Sequence, residues 1–329
     1  MAADPAERSR AIWLLLLTNL LWGLSFPLIK SVLLLQQQLL PDASDGLATL
    51  LTVAPRFVLA VLILLAFRPR TSWRATPAER RQGVMLGLFA AAGMLLQNDG
   101  LRYTTASTSA FLTQLYAVMI PVWLGLRRRR NPGPRIWTAC GLVMAGAAVL
   151  AGFNPLDPSA GGFRLGRGEI ETLLGSCFFM GQILVLERKE FRENRADRIT
   201  FVMFVTQAVL FGGAAVAVAP DMAVLGTPWT SPAWIALTLA LCLVCSIGAI
   251  SLMNACQPKI TATEAGLIYC FEPVFVAVLA WCLPAWLSRM TGISYPNETA
   301  TWSLLIGGGL ITAANLLTQS KPPANGAGV

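Results

Sequence analysis

The chain has 329 residues, of which 55% are hydrophobic and only 13% charged, and its mean hydropathy is +0.60. Soluble proteins average roughly 25% charged residues, so a water-soluble fold is excluded and lipid is the expected solvent. The formal charge of +8 would suit nucleic acid, but the basic residues sit in short loops between apolar segments, a placement that orients a chain in a membrane and argues against a nucleic-acid partner.

A helix rises about 1.5 Å per residue and must cross roughly 30 Å of hydrocarbon, so about 20 apolar residues suffice. In chain order the spans read as Ala11–Ile29, Leu47–Phe67, Gly83–Leu101, Thr105–Leu126 and Ile136–Phe153, then Glu169–Leu186, Ile199–Ala219, Ala233–Met253, Thr261–Leu283 and Thr301–Thr318. The first is read as a retained span. Basic Arg8 and Arg10 precede it, but no small-residue cleavage site follows, and Pro27 and Lys30 close it. With the N-terminus cytoplasmic, the inside segments hold nineteen basic residues and the outside loops only Arg102, Arg164, Arg167 and Arg289. That asymmetry predicts a multi-pass protein with both termini cytoplasmic.

The seven cysteines, Cys140, Cys177, Cys242, Cys245, Cys256, Cys270 and Cys282, lie in or beside spans and form no disulfide framework. Cys242 and Cys245 have CxxC spacing, but the chain has no histidine and no second pair, so they read as packing residues and no metal or cofactor is expected. Asn297-Glu298-Thr299 matches a glycosylation tripeptide, a pattern too common to carry weight.

The two halves resemble each other. Asn98 and Asn254, Thr105 and Thr261, and Ala106 and Ala262 are each 156 positions apart, while Gly23 and Gly181, and Lys30 and Arg188, are 158 apart. Five spans per half is an odd number, so the second copy enters the membrane in the opposite sense. The expected fold is therefore an all-α integral membrane protein of ten transmembrane helices in two inverted five-helix repeats. Residues 1–10 form an N-terminal tail, 11–153 the first repeat, 154–168 a linker outside the cytoplasm, 169–318 the second repeat and 319–329 a C-terminal tail. Inverted repeats suit secondary transporters, because two similar halves can exchange conformations. Lys30 and Arg188, at span ends, read either as interfacial anchors or as residues of substrate entry.

Asn19-Leu20-Leu21-Trp22-Gly23-Leu24-Ser25-Phe26-Pro27-Leu28-Ile29-Lys30 and Arg56-Phe57 resemble the first two spans of EamA-type permeases in the drug/metabolite transporter (DMT) superfamily. Gly100 to Ser107, then Ala110 to Tyr116 and Pro121, are similar to that family's third-to-fourth span signature, and Ala262 to Ala265 leading to Glu272-Pro273-Val274-Phe275 to its ninth. The family often places Gly-Glu after the fourth and ninth spans; here Gly125-Leu126-Arg127 and Pro284-Ala285-Trp286 stand there, so no role of those acids carries over. The resemblance implies a permease of the bacterial inner membrane that exports amino acids or other metabolites.

Arg56 and Glu272 fall near the middle of their spans, where an ionised side chain costs about 2.5–3.5 kcal/mol on insertion scales. Both are expected to face the bundle interior and to pair directly or through substrate. The two charges read as a fixed ion pair, as one broken and remade in transport, or as making no contact at all, and Glu272 is the proton-coupling candidate. Pro27, Pro121 and Pro273 are the expected helix breaks. Trp22, Gln97, Asn98, Gln114, Tyr116, Gln182, Asn254 and Tyr269 complete the candidate substrate cavity, with Gln207 a further polar side chain in the spans. Each one alone reads as readily as an interhelical hydrogen bond.

The expected function is movement of a small organic solute by alternating access, with the bilayer and the substrate as partners and a monomer or homodimer both open. A channel, a scaffold or, more remotely, an intramembrane enzyme using Glu272 with Asp99 are the alternatives. Gly307-Gly308-Gly309 permits close helix contact within the bundle or between protomers.

Overall fold

A backbone surrounded by hydrocarbon must satisfy its own N–H and C=O groups, and the apolar runs accordingly fold as helices. The computed structural model describes residues 5–67, 74–127, 129, 131, 133–150, 165–260, 265 and 268–319, and these contain no strand. The main helices are α1 Pro5–Leu39, α2 Asp45–Phe67, α3 Pro77–Tyr103, α4 Ala106–Thr113, α5 Tyr116–Arg127, α6 Pro134–Leu150, α7 Arg167–Leu186 and α8 Ala196–Val218. They continue with α9 Pro232–Ala240, which runs through a π-helical segment Leu241–Gly248 into α10 Ala249–Cys256, then α11 Glu272–Thr291 and α12 Trp302–Gln319.

Eight described stretches are long and apolar enough to cross a bilayer: α1, α2, α3, α4 with α5, α7, α8, α9 through α10, and α11. The other two expected spans, α6 and α12, are apolar but shorter. The 17 residues of α6 reach about 25 Å. Residues 151–153 at its expected end, the linker residues 154–164, the ninth-span residues 261–264, 266 and 267, and the tail 320–329 lie outside the described residues.

Several expected boundaries move. The first helix is 35 residues long, starting inside the expected N-terminal tail and continuing past Ile29 to Leu39. Its extra turns bury Val32, Leu33 and Leu35 among Trp234, Leu237, Leu287 and Ile293, so protein contact rather than lipid sets this end. The helix runs unbroken through Pro27, and α5 runs unbroken through Pro121. Pro273 lies in the first turn of α11, where a missing N–H leaves no orphan, so it starts a helix rather than kinking one. The breaks fall elsewhere. One is the turn Gln114–Leu115 between α4 and α5, and the other is Cys270–Phe271 before α11, 156 residues further on.

The principal packing pairs are α1 with α11 and α10, α2 with α8, α3 with α7 and α8, and α6 with α12, so each joins the first half to the second. Glycines set the closest approaches. A Cβ on Gly100 would meet the Gly168 carbonyl oxygen at 2.7 Å, and one on Gly307 the Gly146 carbonyl oxygen at 2.8 Å. Gly308 lies under the Phe111 ring while Gly309 faces open space, so the first two of the three glycines serve contacts inside the bundle.

The ends of α3 are fixed differently. At its N-terminus Thr76 and Glu79 form a capping box, and Glu79 also accepts from the Arg195 amide and pairs with Arg198, both at 3.2 Å. At its C-terminus Lys30 Nζ donates to the carbonyls of Leu101, Arg102 and Thr104 at 2.5, 3.0 and 3.2 Å. The carboxylate of Glu298 accepts from the Ala106 and Ser107 amides at 2.7 and 3.4 Å, capping α4. A cation on a helix C-terminus and an anion on a helix N-terminus both complement the helix dipoles. Lys30 is thus an interhelical clasp rather than a headgroup anchor, whereas Arg188 stays at the surface and pairs with Glu190 at 3.2 Å.

Candidate functional site

The helices around α1, α2, α3, α7, α10 and α11 enclose a central cavity of about 90 Å³. A water needs roughly 10–15 Å³ of such space, so several fit. Trp22, Arg56, Gln97 and Asn98 line it from the first half, with Tyr116 at the start of α5. Gln182, Tyr269 and Glu272 line it from the second.

Arg56 and Glu272 share this cavity without forming an ion pair. The Arg56 side chain comes from the middle of α2 and is 3% exposed; its Nε donates to Ser246 Oγ in the π-helical segment. Ser246 in turn donates to the Leu241 carbonyl at 3.1 Å, five residues back, so the wider π turn holds the hydroxyl in place. Glu272, at the first position of α11, accepts from Gln114 Nε2 at 3.1 Å. That hydrogen bond joins the two helix breaks. The expected direct pairing of the two charges is therefore not formed; each has a polar partner of its own.

Other candidates are placed as follows. Gln97 Nε2 donates to Thr113 Oγ1 at 2.8 Å and Asn98 Nδ2 to the Met94 carbonyl at 2.7 Å, tying the cavity wall to α4 and to α3's own backbone. The Trp22 and Tyr269 rings pack with centroids 5.8 Å apart, and the Tyr269 hydroxyl donates to Gln257 Oε1 at 2.7 Å. Asn254 is not in the cavity. It donates to Thr200 Oγ1 at 2.8 Å and lines a separate recess of about 510 Å³ near the N-terminal end of α3, with Gln82, Arg192, Asn194 and Lys259. Gln207 is also buried away from the cavity, against Met94 sulfur at 3.5 Å. Asp99 accepts from Thr49 at 2.7 Å and pairs with Arg167 at 2.5 Å in a charged cluster at the other end of α3, so it makes no acid pair with Glu272.

Sequence reasoning missed much of the wall: Phe26, Ile29, Met94, Phe179, Ile250 and Met253 also line the cavity. In a membrane span an apolar residue reads the same whether it faces lipid or a cavity. Ser246 had no distinguishing signal either. Asn19 did stand in the first-span motif, and it donates at 3.0 Å to the Ile268 carbonyl beside the second break, which also accepts from the Phe271 amide at 3.1 Å. Outside the spans, burial first and the nearby Glu298 second push the Tyr295 phenol above its ordinary range. Among the described residues no group of His, Cys, Asp and Glu could hold a metal ion.

Fold and site together define a multi-pass helical membrane protein with a small buried cavity that carries one cation and one acid. Residues 9–152 match the EamA-like transporter family. An uncharacterized transporter of Archaeoglobus fulgidus is 26% identical over 292 residues, covering 84% of this chain and 81% of the relative. The first half of the chain is thus similar to EamA-like transporters, and the match and the relative together support a membrane transporter. A solved crystal structure aligns with a TM-score of 0.53 over 91% of this chain and 95% of that one, at 17% identity, a likeness of fold alone.

Proposed function

We propose that this protein is a secondary transporter that moves a small organic solute by alternating access. Its ten membrane helices, the short α6 and α12 included, form two inverted repeats over residues 11–153 and 169–318, with both termini cytoplasmic, and it exports its substrate across a bacterial inner membrane. The observation that carries the reading is the pair of helix breaks. Gln114–Leu115 and Cys270–Phe271 are separated by 156 residues, the offset that relates Asn98 to Asn254, and they meet through the Gln114–Glu272 hydrogen bond beside the cavity. Paired discontinuous helices near the membrane centre are how many carriers build a site that two halves can close in turn.

Glu272 is the coupling group in this reading. It is a buried acid that faces the cavity and has no cationic partner among the described residues, so it can exchange a proton as the cavity changes sides. Purified protein in sealed proteoliposomes tests the reading by counterflow. Saturable exchange of labelled for unlabelled compound is the expected result, and flux that rises linearly with concentration and shows no counterflow would indicate a channel instead. Glu272→Gln is expected to keep exchange but lose accumulation driven by a pH gradient; normal gradient-driven transport by this variant removes the proton role.

A further inference from the structure

We infer that Arg56 is the substrate-binding cation of the central cavity and that its ligand is an organic carboxylate, the guanidinium being aimed by Ser246. This rests on the transport reading and names the substrate class for it.

Four observations carry the inference. First, Arg56 is buried within a membrane helix, yet no carboxylate lies within ion-pair distance of it among the described residues. A buried charge left unpaired is costly, and inside a membrane such groups mark ligand paths. Second, its single hydrogen bond among the described residues uses Nε; the guanidinium carbon lies 5.3 Å from the Phe57 ring centroid, but neither Nη group has a hydrogen-bond partner among those residues, in a side chain that lines the cavity. That presents the two-pronged edge of the guanidinium, whose geometry matches a planar carboxylate. Third, the anchor is built: Ser246 accepts from Arg56 while donating to the Leu241 carbonyl, so the hydroxyl's proton is committed and its lone pair faces Nε. Fourth, the remaining wall is largely apolar, with Phe26, Met94 and Met253, which suits the hydrocarbon part of an organic acid. The acid Glu272 in the same cavity disfavours a doubly charged ligand such as a phosphate ester and tolerates a single negative charge.

The test is thermal unfolding of the purified full chain in detergent against acetate, butyrate, benzoate and phenylacetate, each beside its primary amide. A ligand that binds the folded state raises the melting temperature by mass action. At least one carboxylate is expected to stabilise the protein saturably, with its amide weaker by about tenfold or more in half-saturating concentration. Arg56→Lys keeps the charge but loses the fork and is expected to weaken the carboxylate by about tenfold. Ser246→Ala is expected to weaken it by roughly threefold, and Ser246→Thr to restore it. Should Arg56→Gln fail to fold, the Ser246 pair still decides the matter. Equal response to acid and amide, a preference undiminished in Arg56→Gln or Ser246→Ala, or no response to any carboxylate overturns the inference. Failure of the transport reading looks different: carboxylates then bind, but none exchanges across proteoliposomes.

Discussion

The two ends of α3 close the bundle in different ways. At the C-terminal end a lysine from α1 and a glutamate from the segment after α11 clasp the turn between α3 and α4, and Arg167, Asp99, Asp45, Arg102 and Tyr103 interlock beside it. At the N-terminal end a recess of about 510 Å³ penetrates the bundle. Tyr269, which lines the central cavity, donates its hydroxyl proton to Gln257, which lines the recess. The first end is closed by a set of charges aimed at helix termini; at the second, beside the Glu79–Arg198 pair that fixes the start of α3, a single neutral hydrogen bond links cavity wall to recess. On the proposed alternating-access reading the two ends are barriers of unequal strength, and the end clasped by Lys30 and Glu298 holds this conformation.

The largest expected effect is at the charged end. Lys30→Met removes three charge-assisted hydrogen bonds from otherwise unpaired carbonyls and is expected to cost about 2–3 kcal/mol in unfolding free energy. Thermal or denaturant melting of purified protein measures it, and an unchanged midpoint would mean the clasp does not hold this end. Glu298→Gln keeps the shape and loses the charge at the α4 N-terminus, for a smaller loss of about 1 kcal/mol in the same assay.

Tyr269→Phe sharpens the comparison from the other side. It removes only the bond to Gln257, and a stability change of about 1 kcal/mol or less is expected, with solute exchange retained. A loss as large as that of Lys30→Met would show the two ends to be equally strong. Smallest of all is Asn254→Ala. Its side chain faces Thr200 and the recess rather than the cavity, so the half-saturating concentration of any exchanged solute is expected to stay within about twofold of wild type.

The apolar runs and the Arg-rich turns made the helical membrane fold legible, because lipid leaves the backbone few alternatives. The charges Arg56 and Glu272 were legible as cavity residues for the same reason: their cost in hydrocarbon forces them inward. What each one bonds was not. Ser246 is one hydroxyl in an apolar run, and only the π turn at Leu241–Gly248 brings it to Arg56. Prolines in the spans predict helix breaks, yet Pro27 and Pro121 sit in unbroken helices while Gln114–Leu115, which contains none, interrupts one. A proline removes one hydrogen bond that neighbours can make good, so its presence does not locate a break. The Lys30 clasp was hidden because its acceptors are backbone carbonyls, which every residue carries.

Alternating access is the central claim, and two-sided reactivity of the cavity tests it most directly. Gln97→Cys, in a background whose seven native cysteines are alanine and whose exchange activity is retained, is treated with a membrane-impermeant maleimide from either face of sealed vesicles. Modification from both faces is expected, with the vesicles remaining impermeable to unreacted reagent. Modification from one face only, with and without exchangeable solute, would contradict alternating access.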